Sequence, residues 1–218
     1  MLATTQLYLY MLRHGSDRMN GDPAAAYERN AQEYLSVRDR STIGVEVVER
    51  WAKSIQPGTE VLEIGCGGGF PVSRVLVDAG FKLWAVDSSP TLLSEFKKRF
   101  PNIPVDCSRA LESTYFRRKF GAVIAIGFVF LLQTEKQAAF IQQVSNLITT
   151  GGRFLFTAPL EIGTWKDINR GQECRSVGRK RYESLLRGAG FRIVATYEDE
   201  GLNNYYDAEH IAVPNTAA

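Results

Sequence analysis

The sequence lacks most of what marks a secreted, metal-binding or membrane protein. Its three cysteines, Cys66, Cys107 and Cys174, stand far apart with no CxxC spacing. An odd, scattered set builds neither a disulfide framework nor a zinc site, so a reducing cytoplasm and no metal are expected. No apolar run approaches the roughly 18 residues that a membrane span needs. The apolar patch from Leu7 to Leu12 has no basic residue before it and is too short for a secretory signal. Internal repeats and low-complexity linkers are missing as well. Charge is close to balanced, at +2 overall, too little to argue for a nucleic-acid surface. The basic clusters Arg117-Arg118-Lys119 and Arg179-Lys180-Arg181 are short and read as solvated faces.

What is present is regular alternation. A chain of 218 residues suits one domain with a well-buried core. Residues 1–22 read as an N-terminal extension and 23–218 as a single domain. Pro23 to Asp39 and Ser41 to Ile55 read as helices, with Pro23 in a first turn and Ser41 as an N-cap. "TEVLEI", "FKLWAVD", "IPVDC", "GAVIAIGFVFLL" and "RFLFTAP" read as successive strands. Helices between them are expected over Pro71 to Ala79, "PTLLSEFKKRF" capped by Ser89, and "EKQAAFIQQVSNLI". "KRYESLLRGAG" reads as a last helix, and "FRIVATYED" and "NNYYDAEHIAV" as a closing antiparallel pair. The pattern predicts an α/β fold: a doubly wound, seven-stranded, mainly parallel sheet with a C-terminal antiparallel hairpin and helices on both faces.

In such sheets ligands bind beyond the carboxyl ends of the strands. The first strand ends in "VLEIGCGGGF", with four glycines between Gly65 and Gly69. Glycine lets the backbone turn tightly and lets a ligand approach without Cβ interference. Asp87 ends the second strand about twenty residues on, where an acid can accept from ribose hydroxyls. Together these features point to an adenosine-type ligand. The dinucleotide fingerprint GxGxxG fails, because Phe70 stands where the third glycine belongs. No Lys-Ser or Lys-Thr follows the glycines, so a P-loop is excluded. Glu63, two residues before Gly65, would repel a pyrophosphate and suits a cationic ligand.

"VLEIGCGGG" followed by "AVDSS" resembles the class I S-adenosylmethionine-dependent methyltransferases, whose first motif is acid-x-Gly-x-Gly-x-Gly. The resemblance runs from about Tyr27 to Val213. It implies S-adenosyl-L-methionine as cofactor and S-adenosyl-L-homocysteine as product. By the family's pattern Glu63 binds the methionine end, and Gly65 and Gly67 admit the amino-acid moiety and ribose. Asp87 takes the ribose hydroxyls, with Ser88 beside it near the adenine. After the third strand the family usually offers an acid to the adenine amine. Here the segment is "CSRALE", so Ser108 and Arg109 occupy that place without a clear acid, and adenine contacts are expected from Ser108 and the backbone near Ala110 and Leu111. Gly127 and Phe128 should flank the transferable methyl. An N-terminal helix of many relatives closes over the cofactor with a Tyr and an Arg, and Tyr34 and Arg38 stand at compatible positions. On this reading 23–56 covers the cofactor, 57–150 is the cofactor half and 151–218 the acceptor side.

The segment Leu160 to Cys174 follows the fifth strand at the ligand edge and is long for a connection. Its Trp165, Lys166, Asp167 and Arg170 suit a loop or lid that lines the acceptor. Phe128, Trp165, Asp167 and Tyr206 are therefore the expected substrate-binding residues. The resemblance does not supply a catalytic residue. Asp167, Tyr205, Tyr206 and His14 are candidates for a general base, and none is singled out. Cys66 reads as a small buried residue and His210 as structural. The expected partner is a small-molecule acceptor, without nucleic acid or membrane, in a monomer or homodimer. A methyltransferase acting on RNA or protein is the alternative, supported only by the basic clusters. A nucleotide-sensing domain or an oxidoreductase is the third reading.

Overall fold

The computed structural model describes residues 22–167 and 172–211. Seven strands form one sheet in the order β3-β2-β1-β4-β5-β9-β8. They are β1 Glu60–Ile64, β2 Lys82–Asp87, β3 Val105–Cys107, β4 Phe120–Ala125, β5 Ile148–Thr157, β8 Phe191–Glu198 and β9 Asn204–His210. The first five strands are parallel, and β9 lies antiparallel between β5 and β8. This is the expected doubly wound sheet with its late hairpin. Strand order reverses between β1 and β4, so their carboxyl ends diverge into a crevice.

Helices cover both faces. They are α1 Pro23–Arg29, α2 Ala31–Arg38, α3 Val45–Ala52, α4 Val72–Asp78, α5 Pro90–Arg99, α6 Thr134–Leu147 and α7 Arg179–Gly188. One core packs Trp51, Leu76, Phe96 and Tyr205 against Val61, Ala85 and Leu155. The other packs Phe140, Tyr182 and Leu186 against Phe154, Phe156 and Tyr206. The central strand β4 carries no polar side chain because both of its faces are buried.

Local chemistry sets the boundaries of several elements. Ser89 Oγ accepts from Leu92 N at 3.1 Å and Pro90 opens α5, as expected. The segment Pro23 to Asp39 is two helices that part at Asn30. Ser41 does not cap a helix: its hydroxyl accepts from Ile43 N at 3.2 Å in a tight turn, and α3 starts after Gly44 at φ +85°. The segment after β5 is not a plain loop. It contains a second, two-stranded sheet, β6 Ile162–Lys166 paired antiparallel with β7 Glu173–Val177. Arg170 of that segment, His14 and residues 1–21 lie outside the described residues.

Candidate active site

A cavity of about 790 Å³ opens at the carboxyl edge of the sheet, over the crevice between β1 and β4. Its floor is the glycine turn. Gly65 and Gly67 hold φ of +76° and +56°, a region that L side chains rarely adopt. A Cβ on Gly67 would also stand 3.0 Å from the ring of Tyr34, and one on Gly65 3.5 Å from Phe128. The turn is thus closed in by rings on two sides and leaves its backbone towards the cavity.

Asp87 ties this turn to the end of β2. Its carboxylate accepts from Gly67 N and from Ser89 N, both at 2.9 Å. A carboxylate offers about four lone-pair sites, so two remain for a hydroxylated ligand. Burial raises the Asp87 carboxyl above its ordinary value, and the backbone N–H groups of Ser89, Gly67 and Ser88 act against that rise.

Glu63, at 4% exposure, has one hydrogen-bond donor, the Ser73 hydroxyl at 2.6 Å. Desolvation, with Asp87 nearby, pushes its carboxyl up to about 8, while Ser73 and Arg38 pull it down. Such a group gains most from a cationic partner. Arg38 reaches the Ser41 hydroxyl and the Ile43 carbonyl at 3.4 Å, and no carboxylate among the described residues pairs with it. It therefore stands ready for an anionic group beside the cation that Glu63 would take. Cys66 lines the cavity, but burial drives its thiol well up, so it is not a nucleophile.

The roof is α1 and α2. Only a small apolar cluster of Ala31, Leu35 and Leu92, joined by Tyr27 and Tyr34, seats these helices. Polar contacts finish the attachment. Glu28 accepts from the hydroxyls of Ser89 and Thr91, Asp22 pairs with Arg109, and Asp39 pairs with Arg99.

A family model described as a methyltransferase domain matches residues 61–152, the stretch that holds β1, the glycine turn, Asp87 and β4. That match covers less than half of the chain, and the class I methyltransferase fold continues beyond it. An S-adenosylmethionine-dependent methyltransferase from Clostridium acetobutylicum superposes with a TM-score of 0.65 at 16% identity, over 85% of this chain and 99% of that one. Magnesium protoporphyrin IX methyltransferase from Synechocystis PCC 6803 superposes at 0.63 with 18% identity, over 96% of this chain and 92% of that one. These likenesses show the fold. The tRNA U34 carboxymethyltransferase of Idiomarina loihiensis is 24% identical over 105 residues, 45% of this chain. The match spans 32% of that relative's length.

The fold gathers nearly all the residues expected from the sequence. Tyr34, Arg38, Glu63, Gly65, Gly67, Asp87, Ser88, Ser108, Ala110, Leu111 and Gly127 all line the one cavity, as do Phe128 and Asp167. Gly127 N donates to Thr157 Oγ1 at 2.7 Å, which fixes the end of β4 against β5. Trp165 is not in the wall itself; it packs behind Phe130, a lining residue, at 5.6 Å between ring centroids.

Tyr206 stands elsewhere. It is fully buried, stacked on Phe156 at 5.0 Å, and belongs to the core on the α6–α7 side. Its neighbour Tyr205 faces the cavity instead. Burial raises both phenols further above their ordinary value, which makes neither a base at neutral pH.

Two parts of the wall escaped the sequence reading. Glu112 lines the cavity in the segment where no clear acid was expected. Arg109, expected in that segment, lines it too and is held by Asp22. Asp199 and Asn203 enter from the β8–β9 turn, where Asp199 accepts from Gly201 N and Asn203 N at 2.9 Å and from the Tyr205 hydroxyl at 2.7 Å. The Asp-x-Gly spacing of that turn is a readable turn signal, but its reach to the cavity comes from the packing of Tyr205 against Gly44.

Proposed function

We propose that the chain binds S-adenosylmethionine through the eleven residues gathered on this cavity and transfers its methyl group to a small-molecule acceptor. One observation carries the reading. Glu63, buried, and Asp87, half-buried, lie on adjacent strands and face a single cavity floored by positive-φ glycines, with Arg38, which pairs with no carboxylate among the described residues, beside them. That set suits a ligand with a cationic and an anionic end and a ribose, and it does not suit a pyrophosphate.

The cofactor would supply the electrophilic methyl. The protein would align and exclude water. Glu63 would hold the ammonium end and Arg38 the carboxylate. The free lone pairs of Asp87 would take ribose hydroxyls, and Ser88, Ser108, Ala110 and Leu111 would bound the adenine. Phe128 would pack beside the reacting centre. Helices α1 and α2, within residues 23–56, would close over the cofactor, and residues 151–218 would supply the acceptor side. Of the base candidates, Asp167 and Tyr205 line the cavity, both within that acceptor half.

A small acceptor is supported by a deep cavity that α1 and α2 roof over. The magnesium protoporphyrin IX relative acts on a small molecule, while the curated relative acts on tRNA. The basic clusters lend the second reading little. Arg118 pairs with Glu60 at the amino end of β1, the opposite edge of the sheet from the cavity, and its guanidinium lies over Trp84. Among the described residues no helix is long and apolar enough to cross a membrane.

Isothermal titration tests the cofactor assignment. S-adenosylhomocysteine should bind and NAD should not; the reverse result would overturn the reading. Transfer of labelled methyl to a panel of small aromatic and amine acceptors, with bulk tRNA as comparison, decides the acceptor class.

A further inference from the structure

Gln137 is a polar side chain with 0% exposure inside α6, away from the cofactor floor. Its amide nitrogen donates to the carbonyls of Leu132, at 2.9 Å, and Arg175, at 3.0 Å. Its amide oxygen accepts from the Tyr182 hydroxyl at 2.8 Å. Carbonyls only accept, so these partners fix which way the amide points.

Both carbonyls belong to lining residues of the cavity, on two separate walls. Leu132 follows the 3₁₀ turn Val129–Leu131 that continues β4 past Gly127. Arg175 is the centre of β7. The β6–β7 pair is a two-stranded sheet with no further strand beside it. Such a pair is marginal alone and must be docked by other contacts. Cys174 and Ser176 turn inward, and Ser176 Oγ reaches the Pro159 carbonyl at 3.0 Å. Gln137 supplies the bond between β7 and the opposing wall. Tyr182 holds it from behind and is itself packed on Phe156 and Tyr206.

We infer that Gln137 is a positioning residue for the acceptor end of the cavity, setting the separation between β7 and the segment after β4. This rests on the methyltransferase reading only for what the cavity end does; the spacing itself does not. A buried amide with three bonds costs much to replace, since an apolar side chain takes a donor from two carbonyls and the acceptor from the Tyr182 hydroxyl.

Hydrogen–deuterium exchange on the full chain tests the inference, alongside titration with S-adenosylhomocysteine. In Gln137→Met, protection over residues 128–133 and 172–177 should fall ten-fold or more. Protection over β1 and β2 and the affinity for S-adenosylhomocysteine should stay within two-fold. Gln137→Glu keeps the volume and the acceptor for Tyr182. Ionised, it has no donor for the two carbonyls; protonated, it regains one. Its protection factors in the same two segments should therefore recover in part as pH falls, which simple loss of packing would not produce. Unchanged protection in those segments would overturn the inference, as would a uniform loss that includes β1, β2 and cofactor affinity. If Gln137→Met does not fold, the pH comparison in Gln137→Glu decides by itself: recovery supports the inference and its absence overturns it. Failure of the wild type to bind S-adenosylhomocysteine would sink the cofactor reading and leave the exchange result standing.

Discussion

Two carboxylates show how position, not identity, decides a residue's chemistry. Glu63 is buried and Asp87 half-buried, and Asp87 is held by backbone donors while Glu63 is held by a single hydroxyl. For Asp87→Ala, affinity for S-adenosylhomocysteine should fall ten-fold or more in titration, since a hydrogen bond to a charged group contributes roughly 1.5–3 kcal/mol. Because Gly67 N and Ser89 N would lose their acceptor, the melting temperature should fall with it. For Glu63 the prediction concerns pH. Its carboxyl sits near 8 in the free protein and at 4.5 ordinarily. The folded state thus holds the proton more tightly than the unfolded one. Stability from this source is full below about 4.5 and is lost as pH rises through about 8. Thermal melts of the free protein should show that decline, and Glu63→Gln should flatten it. A cationic ligand favours the ionised form, so affinity should climb by up to about ten-fold per pH unit towards pH 8 and then level off.

At the scale of elements, the roof over the cavity is joined to the rest by few contacts. Glu28 on α1 takes the hydroxyls of Ser89 and Thr91 and also Thr91 N, at 3.2 Å, at the start of α5. Glu28→Ala should release α1 and α2. Limited proteolysis within residues 22–40 should quicken several-fold, and cofactor affinity should drop, while the sheet's melting transition moves little. The same scale shows why some elements were legible and others not. The glycine turn, the Ser89 cap and the apolar parallel strands carry their reasons within a few residues of chain. The β6–β7 pair does not. Ile162 is 81% exposed and β6 has no buried face, so no alternation marks it as a strand. Its partner supplies the pairing, and that pairing is visible only in space.

For the whole molecule, position along the strands separates stability from chemistry on one face of the sheet. Asp207, fully buried in β9, accepts from Arg153 Nε at 3.0 Å, Trp51 Nε1 at 3.2 Å and the Tyr197 hydroxyl at 3.2 Å, and joins α3, β5 and β8 away from the cavity. Arg153→Met would strand that charge. Urea unfolding should show a loss of about 3 kcal/mol, with cofactor affinity unchanged. The sequence by itself determined the order of strands and helices, the glycine turn and the pair of acids, because each depends on periodicity or on neighbours close along the chain. The tertiary structure alone decided which tyrosine serves the cavity. Side chains alternate along a strand, so Tyr205 and Tyr206 must face opposite ways. Only the pairing of β9 with β5, which sets Tyr206 against Phe156, turns Tyr206 into the core and leaves Tyr205 to the site.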